Sequence, residues 1–397
     1  MNHRQIFLQN IAQTSEFPLA LEIEKADGIY LYGKNDERYM DLIAGIGVSN
    51  VGHRHPNVVN AIKNQLDKYM HLMVYGEYVQ QPQVLLAKGL VKTLENFHTS
   101  SNLTLDNVYF TNSGTEAVEG AMKLAKRFTG RSEIISCFSS YHGSTQGALS
   151  LGDELFKRNF RPLLPSISKI FRNQLTDLEK ITRFTAAVFF EPIGGESGVR
   201  PADPYYLKQL RERCNEVGAL LVFDEVQSGF GRTGTFWAFE KYDVVPDILL
   251  CAKGMGGGMP IGAFIAPNSI MAVLKDNPIL GHITTFGGHP VSCAASLATL
   301  NTIQDENLTM DVEKKANLFK ELLVHPKIKE IRNKGLMMAV EFDNFETLKP
   351  IIDRAIGKGV ITDWFLYCDN SMRIAPPLII TEQEIRYACQ VILSSIE

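Results

Sequence analysis

From residue 107 onward, short apolar runs alternate with stretches whose apolar positions recur at helical spacing. NVYFT, beginning at Asn107, precedes Glu116 to Phe128, where apolar residues stand at 117, 121, 124, 125 and 128. That spacing predicts a strand leading into an amphipathic helix. EIISC and AAVFFE read as further strands. Asp203-Pro204 opens a helix that carries Leu207, Leu210, Cys214 and Val217 on one face and Gly218 at its end. ALLVFDE, DILLCAK and IGAFIA read as three more strands, the last two joined by a glycine run.

Strands interleaved with helices, several of them apolar on both faces, predict an α/β fold with a largely parallel, buried sheet. This large domain is placed at about residues 50–290. The ends differ: GIYLYG and RYMDL lie near the N-terminus, while MMAVEF and MRIAPPL mix with helices near the C-terminus. Residues 1–49 and 291–397 are expected to meet in a smaller α+β domain.

Composition narrows the classes. The net charge of −4 arises from interspersed charges of both signs, so no basic footprint for nucleic acid is present. No segment has the unbroken apolar length of a membrane span or signal peptide, and a soluble, cytoplasmic protein is expected. The six cysteines lack CxxC or CxxH spacing, so neither a disulfide framework nor a metal site is expected.

Three features carry chemistry. In TNSGTEAVEG, Ser113-Gly114-Thr115 stands where a strand gives way to a helix. Free amides there suit a phosphate dianion, although Ser113 can equally be a plain N-cap. Asp224 ends the apolar strand ALLVFD, at the kind of strand terminus where open α/β sheets bind ligands; a structural ion pair is the plainer alternative. Lys253 follows DILLCA and precedes a glycine cluster. A desolvated lysine loses its proton more readily and becomes a nucleophile for carbonyl carbon. A phosphate, a cationic ring nitrogen and an aldehyde are what these features would meet, and pyridoxal 5′-phosphate (PLP) combines all three.

SGTEA at 113–117, YHG at 141–143, EPIGGESG at 191–198, FDEVQSGFGRTG at 223–234, CAKGMGGGMP at 251–260, TTFGGHP at 284–290 and RIAPPL at 373–378 follow one another in an order and spacing that resemble the class III aminotransferases. These are PLP-dependent transferases of fold type I, which include ornithine, acetylornithine and 4-aminobutyrate aminotransferases. The resemblance implies that Lys253 binds PLP as a Schiff base and moves the proton, with Asp224 paired to the pyridine nitrogen. It further implies cofactor-binding roles for Ser113, Gly114, Thr115, Tyr141, His142 and Gln227. Thr285 would reach the phosphate of a neighbouring subunit, making a homodimer part of the site. Glu196 and Arg373 would bind substrate: the arginine grips the α-carboxylate of 2-oxoglutarate or glutamate, and the glutamate covers it when the donor is a terminal amine.

The pattern departs from the family at Ser144, where Arg is common, at Gly194 and at His289. Serine cannot fork onto a distant carboxylate, so Arg158, Arg161 or Arg172 is considered as the missing cation. The expected activity is transfer of a terminal amino group to 2-oxoglutarate, with acetylornithine or ornithine as first donor. A 4-aminobutyrate, diamine or other ω-amine transaminase, or a related aminomutase, is the alternative.

Overall fold

The computed structural model describes residues 2–34 and 37–396. Its centre is a seven-stranded sheet of β1 (Asn107–Thr111), β2 (Glu133–Cys137), β3 (Ile167–Ile170), β4 (Thr185–Phe190), β5 (Leu220–Asp224), β6 (Ile248–Cys251) and β7 (Gly262–Ala266), in the spatial order β1-β7-β6-β5-β4-β2-β3. The pairings of β5 with β6, of β5 and β2 with β4, and of β2 with β3 are parallel. Only β7 is antiparallel to its neighbours.

Burial on both faces explains the unbroken apolar runs. Side chains alternate between two clusters: Val188, Phe190, Leu221, Phe223 and Leu249 enter one, while Ala187, Phe189, Val222 and Leu250 enter the other. Helix α1 (Gly114–Thr129) packs Ala117, Ala121, Leu124 and Ala125 into the second cluster, whereas Phe128, assigned to the same face by spacing, is exposed. On the first cluster lies α2 (Pro204–Val217). Asp203 caps it by accepting from the Tyr206 amide at 2.9 Å, and Gly218 ends it at φ +70°.

The chain ends come together in a third cluster, where Ile29, Met40 and Leu42 pack with residues from Val312 to Ile396. Val360–Ile361 pairs parallel with the N-terminal strand Arg38–Asp41. Beside it, Glu330–Lys334, Met337–Glu341, Cys368–Ile374 and Asp363–Phe365 form an antiparallel sheet. All six cysteines are free thiols, five of them buried. Among the described residues, no helix is long and apolar enough to cross a membrane.

Candidate active site

β5 and β6 run parallel, so their carboxyl ends deliver Asp224 and the Lys253 segment to the same edge of the sheet. That edge floors a cavity of about 510 Å³. Ser113, Gly114, Thr115, Tyr141, His142, Glu196, Asp224, Gln227 and Lys253 all line it. Nine residues singled out in the sequence, drawn from five segments, thus share one space. Arg373 lies directly behind Glu196, outside the lining. Thr285 is exposed and does not line this cavity; its neighbour Thr284 accepts a 3.1 Å hydrogen bond from Asn112 at the rim.

Lys253 opens a short 3₁₀ turn, Lys253–Gly256, two residues beyond β6, and its own φ is +46°. A side-chain-bearing residue in left-handed backbone is strained, and such strain collects at functional sites. Among the described residues its amine has no hydrogen-bond partner. Burial pushes its ammonium below the ordinary lysine value; the Glu196 carboxylate opposes the shift and the Arg373 charge reinforces it.

Asp224 is buried, with Oδ2 2.7 Å from His142 Nδ1 and Oδ1 accepting from the Val226 amide at 3.0 Å. Ser113 does cap α1, accepting from the Glu116 amide at 3.3 Å. The amides of Gly114 and Thr115 sit in the first turn and so have no intrahelical acceptor. A Cβ on Gly114 would lie 2.8 Å from Val226 Cγ1, so only glycine leaves the helix start this close to the β5 terminus.

Glu196 and Arg373 form a fork, Nη1 to Oε1 at 2.8 Å and Nη2 to Oε2 at 3.0 Å. Gln227 donates to Glu196 Oε1 at 3.2 Å and the Leu366 amide to Oε2 at 3.2 Å. Burial raises the Glu196 carboxyl, but the Arg373 charge and hydrogen bonds more than offset it and hold it below the usual carboxylate value.

The sequence profile of the family described as "Aminotransferase class-III" matches residues 11–396. The chain belongs to the class III aminotransferases. It is 39% identical over 378 residues to an acetylornithine aminotransferase of Methanopyrus kandleri, covering 94% of this chain and 93% of that one. A second such enzyme, from Methanosarcina mazei, is 41% identical over 363 residues, 89% and 86% of the two chains. Among solved structures, an ornithine aminotransferase of Toxoplasma gondii superposes with a TM-score of 0.90 at 30% identity, over 99% of this chain and 92% of that one. This chain is accordingly a fold type I, PLP-dependent aminotransferase.

The cavity suits that cofactor on its own terms. It combines helix-start amides for a phosphate, a buried carboxylate for a ring nitrogen, an unpaired amine, and a volume within the usual range for cofactor sites. Sequence reasoning missed Glu191 and Val226, which also line it, and Asp363, which accepts from Arg373 Nε at 2.9 Å. Val226 follows two residues after Asp224 and could have been inferred from that; nothing in the sequence flagged Asp363. The search for a second cation is corrected. Arg172 donates to the Glu191 carbonyl at 2.6 Å, Arg161 pairs with Glu154 at 2.6 Å, and neither these nor Arg158 lines the cavity. Ser144 instead lies 3.0 Å from the Tyr141 hydroxyl.

Proposed function

We propose that this aminotransferase moves the terminal amino group of an ornithine-like ω-amino donor to 2-oxoglutarate by a ping-pong mechanism, with acetylornithine or ornithine as the first donor to test. The observation that carries this reading is the closed Glu196–Arg373 fork beside the unpaired Lys253 amine. With its fork covered, Arg373 presents no cation next to the reacting carbon, which fits a donor whose reacting carbon bears no carboxylate. Relatives named acetylornithine and ornithine aminotransferases support the donor class.

When bound, the cofactor supplies an electron sink for the pair released as the donor C–H bond breaks. The chain's own groups do the rest. Lys253 would anchor the cofactor, then take the proton from the donor carbon and return it, and its lowered ammonium value favours the neutral amine this needs. Asp224, fixed by His142 and the Val226 amide, would hold a proton on the ring nitrogen. Ser113, Gly114 and Thr115 would receive the phosphate, Tyr141 and Val226 line the space the ring would take, and Gln227 would serve its hydroxyl.

We read the chain as two domains, residues 50–290 and the joined ends 1–49 and 291–397, working in the cytoplasm as a homodimer in which Thr285 completes the neighbouring site. The exposed apolar side chains Ile279, Leu280 and Ile283, which line a second cavity, and Phe286 beside Thr285 support an apolar partner surface.

A second reading, a diamine transaminase, is favoured by one observation: Lys253 is the only Lys or Arg among the residues lining the cavity, so no further cation stands there for a donor's carboxylate. A half-reaction screen separates the two. Reconstituted protein is expected to show the visible absorbance of lysine-bound PLP, absent in Lys253→Ala. Ornithine or acetylornithine should convert it to the pyridoxamine form, which 2-oxoglutarate restores. Silence toward both, with conversion by a diamine, establishes the second reading, and conversion by 4-aminobutyrate alone removes both; a pyridoxamine form that 2-oxoglutarate cannot restore removes the acceptor assignment.

A further inference from the structure

Arg373 meets two carboxylates on two different edges of its guanidinium. The Nη edge faces Glu196, while Nε donates to Asp363 Oδ1 at 2.9 Å. The two acids are tethered differently. Asp363 stands directly opposite Arg373 in the antiparallel pairing of Asp363–Phe365 with Cys368–Ile374, so acid and base ride on one sheet. Glu196 comes from the turn between the two-residue strands Ile193–Gly194 and Arg200–Pro201, and its carboxylate is otherwise held by single hydrogen bonds from Gln227 and Leu366.

The other side-chain contacts that hold the arginine come from the Asp363 side. The Phe365 ring lies 4.5 Å from the guanidinium carbon, Nη2 also donates to the Trp364 carbonyl at 3.2 Å, and Thr362 Oγ1 donates to the Arg373 carbonyl at 2.6 Å. Nη1, by contrast, has Glu196 as its one partner among the described residues. The fork is therefore the exchangeable edge, and the Nε edge is the fixed one.

We propose that Asp363 is a positioning residue for the acceptor: through Nε it fixes the guanidinium plane of Arg373, so that the Nη edge can pass from Glu196 to the acceptor's carboxylate without the arginine turning. This rests on the reading of 2-oxoglutarate as acceptor. Without the Nε contact the long side chain regains rotamers that must be frozen again for each bidentate contact. The donor half-reaction makes no use of an open fork and is indifferent to Asp363.

The test compares both half-reactions, followed by the cofactor's absorbance, in wild type, Asp363→Ala and Asp363→Asn. In Asp363→Ala the apparent Kd for 2-oxoglutarate against the pyridoxamine form is expected to rise about tenfold or more, while the donor half-reaction changes by less than about threefold. Asp363→Asn keeps an oxygen for Nε and is expected to recover most of the loss. The donor half-reaction doubles as a folding control. Acceptor binding in Asp363→Ala within about threefold of wild type, a parallel fall of both half-reactions, or an Asn variant no better than Ala each overturns the proposal. Failure of 2-oxoglutarate to react with the wild-type pyridoxamine form is a separate outcome, which sinks the acceptor reading and this inference with it.

Discussion

At Lys253 the backbone enters left-handed territory just where the β6 strand has ended, leaving the amine unpaired in a cavity whose other charged side chains are mostly carboxylates. Burial is the leading cause of its depressed ammonium value. The sign is definite: the neutral amine attacks an aldehyde, and a lowered value shifts the rise of the neutral fraction to lower pH. Apoenzyme mixed with PLP should regain its visible absorbance at a rate that climbs with pH and levels off below the 10.5 of an ordinary lysine. A stopped-flow pH series checks this, and a rate still climbing through 10.5 would refute it. Lys253 and Asp224 were legible in sequence because a charge that closes an apolar strand is conspicuous. Asp363 was not, since its significance depends on strand register with Arg373, and Glu191 was passed over because its companions in EPIGGESG carried the family signal.

Periodicity left several elements unread, among them the helices Pro56–Leu66, Gln81–Lys92 and Pro290–Asp305. β3, Ile167–Ile170, is an edge strand of ISKI whose Ser168 and Lys169 interrupt the apolar run and whose first three residues are only half-buried, so neither alternation nor hydrophobicity marks it. The turn Ala44–Gly47 was also invisible: Ala44 and Ile46 take positive φ beside Gly45 and Gly47, a conformation side-chain-bearing residues give no hint of. Packing at α1 has a testable consequence. A Cβ on Gly120 would fall 2.3 Å from Phe264 Cε1, and that buried ring is itself stacked on Tyr109 with centroids 4.8 Å apart. Overpacking of this kind costs ~1–3 kcal/mol, against a helix gain of ~0.5–1 kcal/mol for Gly→Ala. Gly120→Ala should therefore lower the denaturation midpoint. Gly357→Ala, in the helix Phe345–Gly357 with open space at its Cβ, should leave it unchanged or raise it, and urea melts of the two variants decide.

For the whole molecule, the cavity is lined by this chain alone while Thr285 is exposed outside its lining, flanked by apolar side chains that water does not favour. If the threonine serves a neighbouring site, its effect must cross a two-fold interface, and complementation can read that crossing directly. A Lys253→Ala dimer has no nucleophile in either site. In a Thr285→Ala dimer each site keeps its lysine but lacks the partner's hydroxyl for the phosphate, so PLP affinity falls. A hybrid of the two variants contains one site that combines an intact lysine with an intact threonine from the other chain. Unfolding both variants together and refolding them as a mixture should therefore restore, in the hybrids, one site of wild-type PLP affinity per dimer. If Thr285 acted within its own protomer, the only site with a lysine would carry the defective threonine and no such site would appear. Differently tagged variants, purified as the doubly tagged hybrid and titrated with PLP, distinguish the two cases; a hybrid that binds no better than Thr285→Ala alone removes the partner role of Thr285.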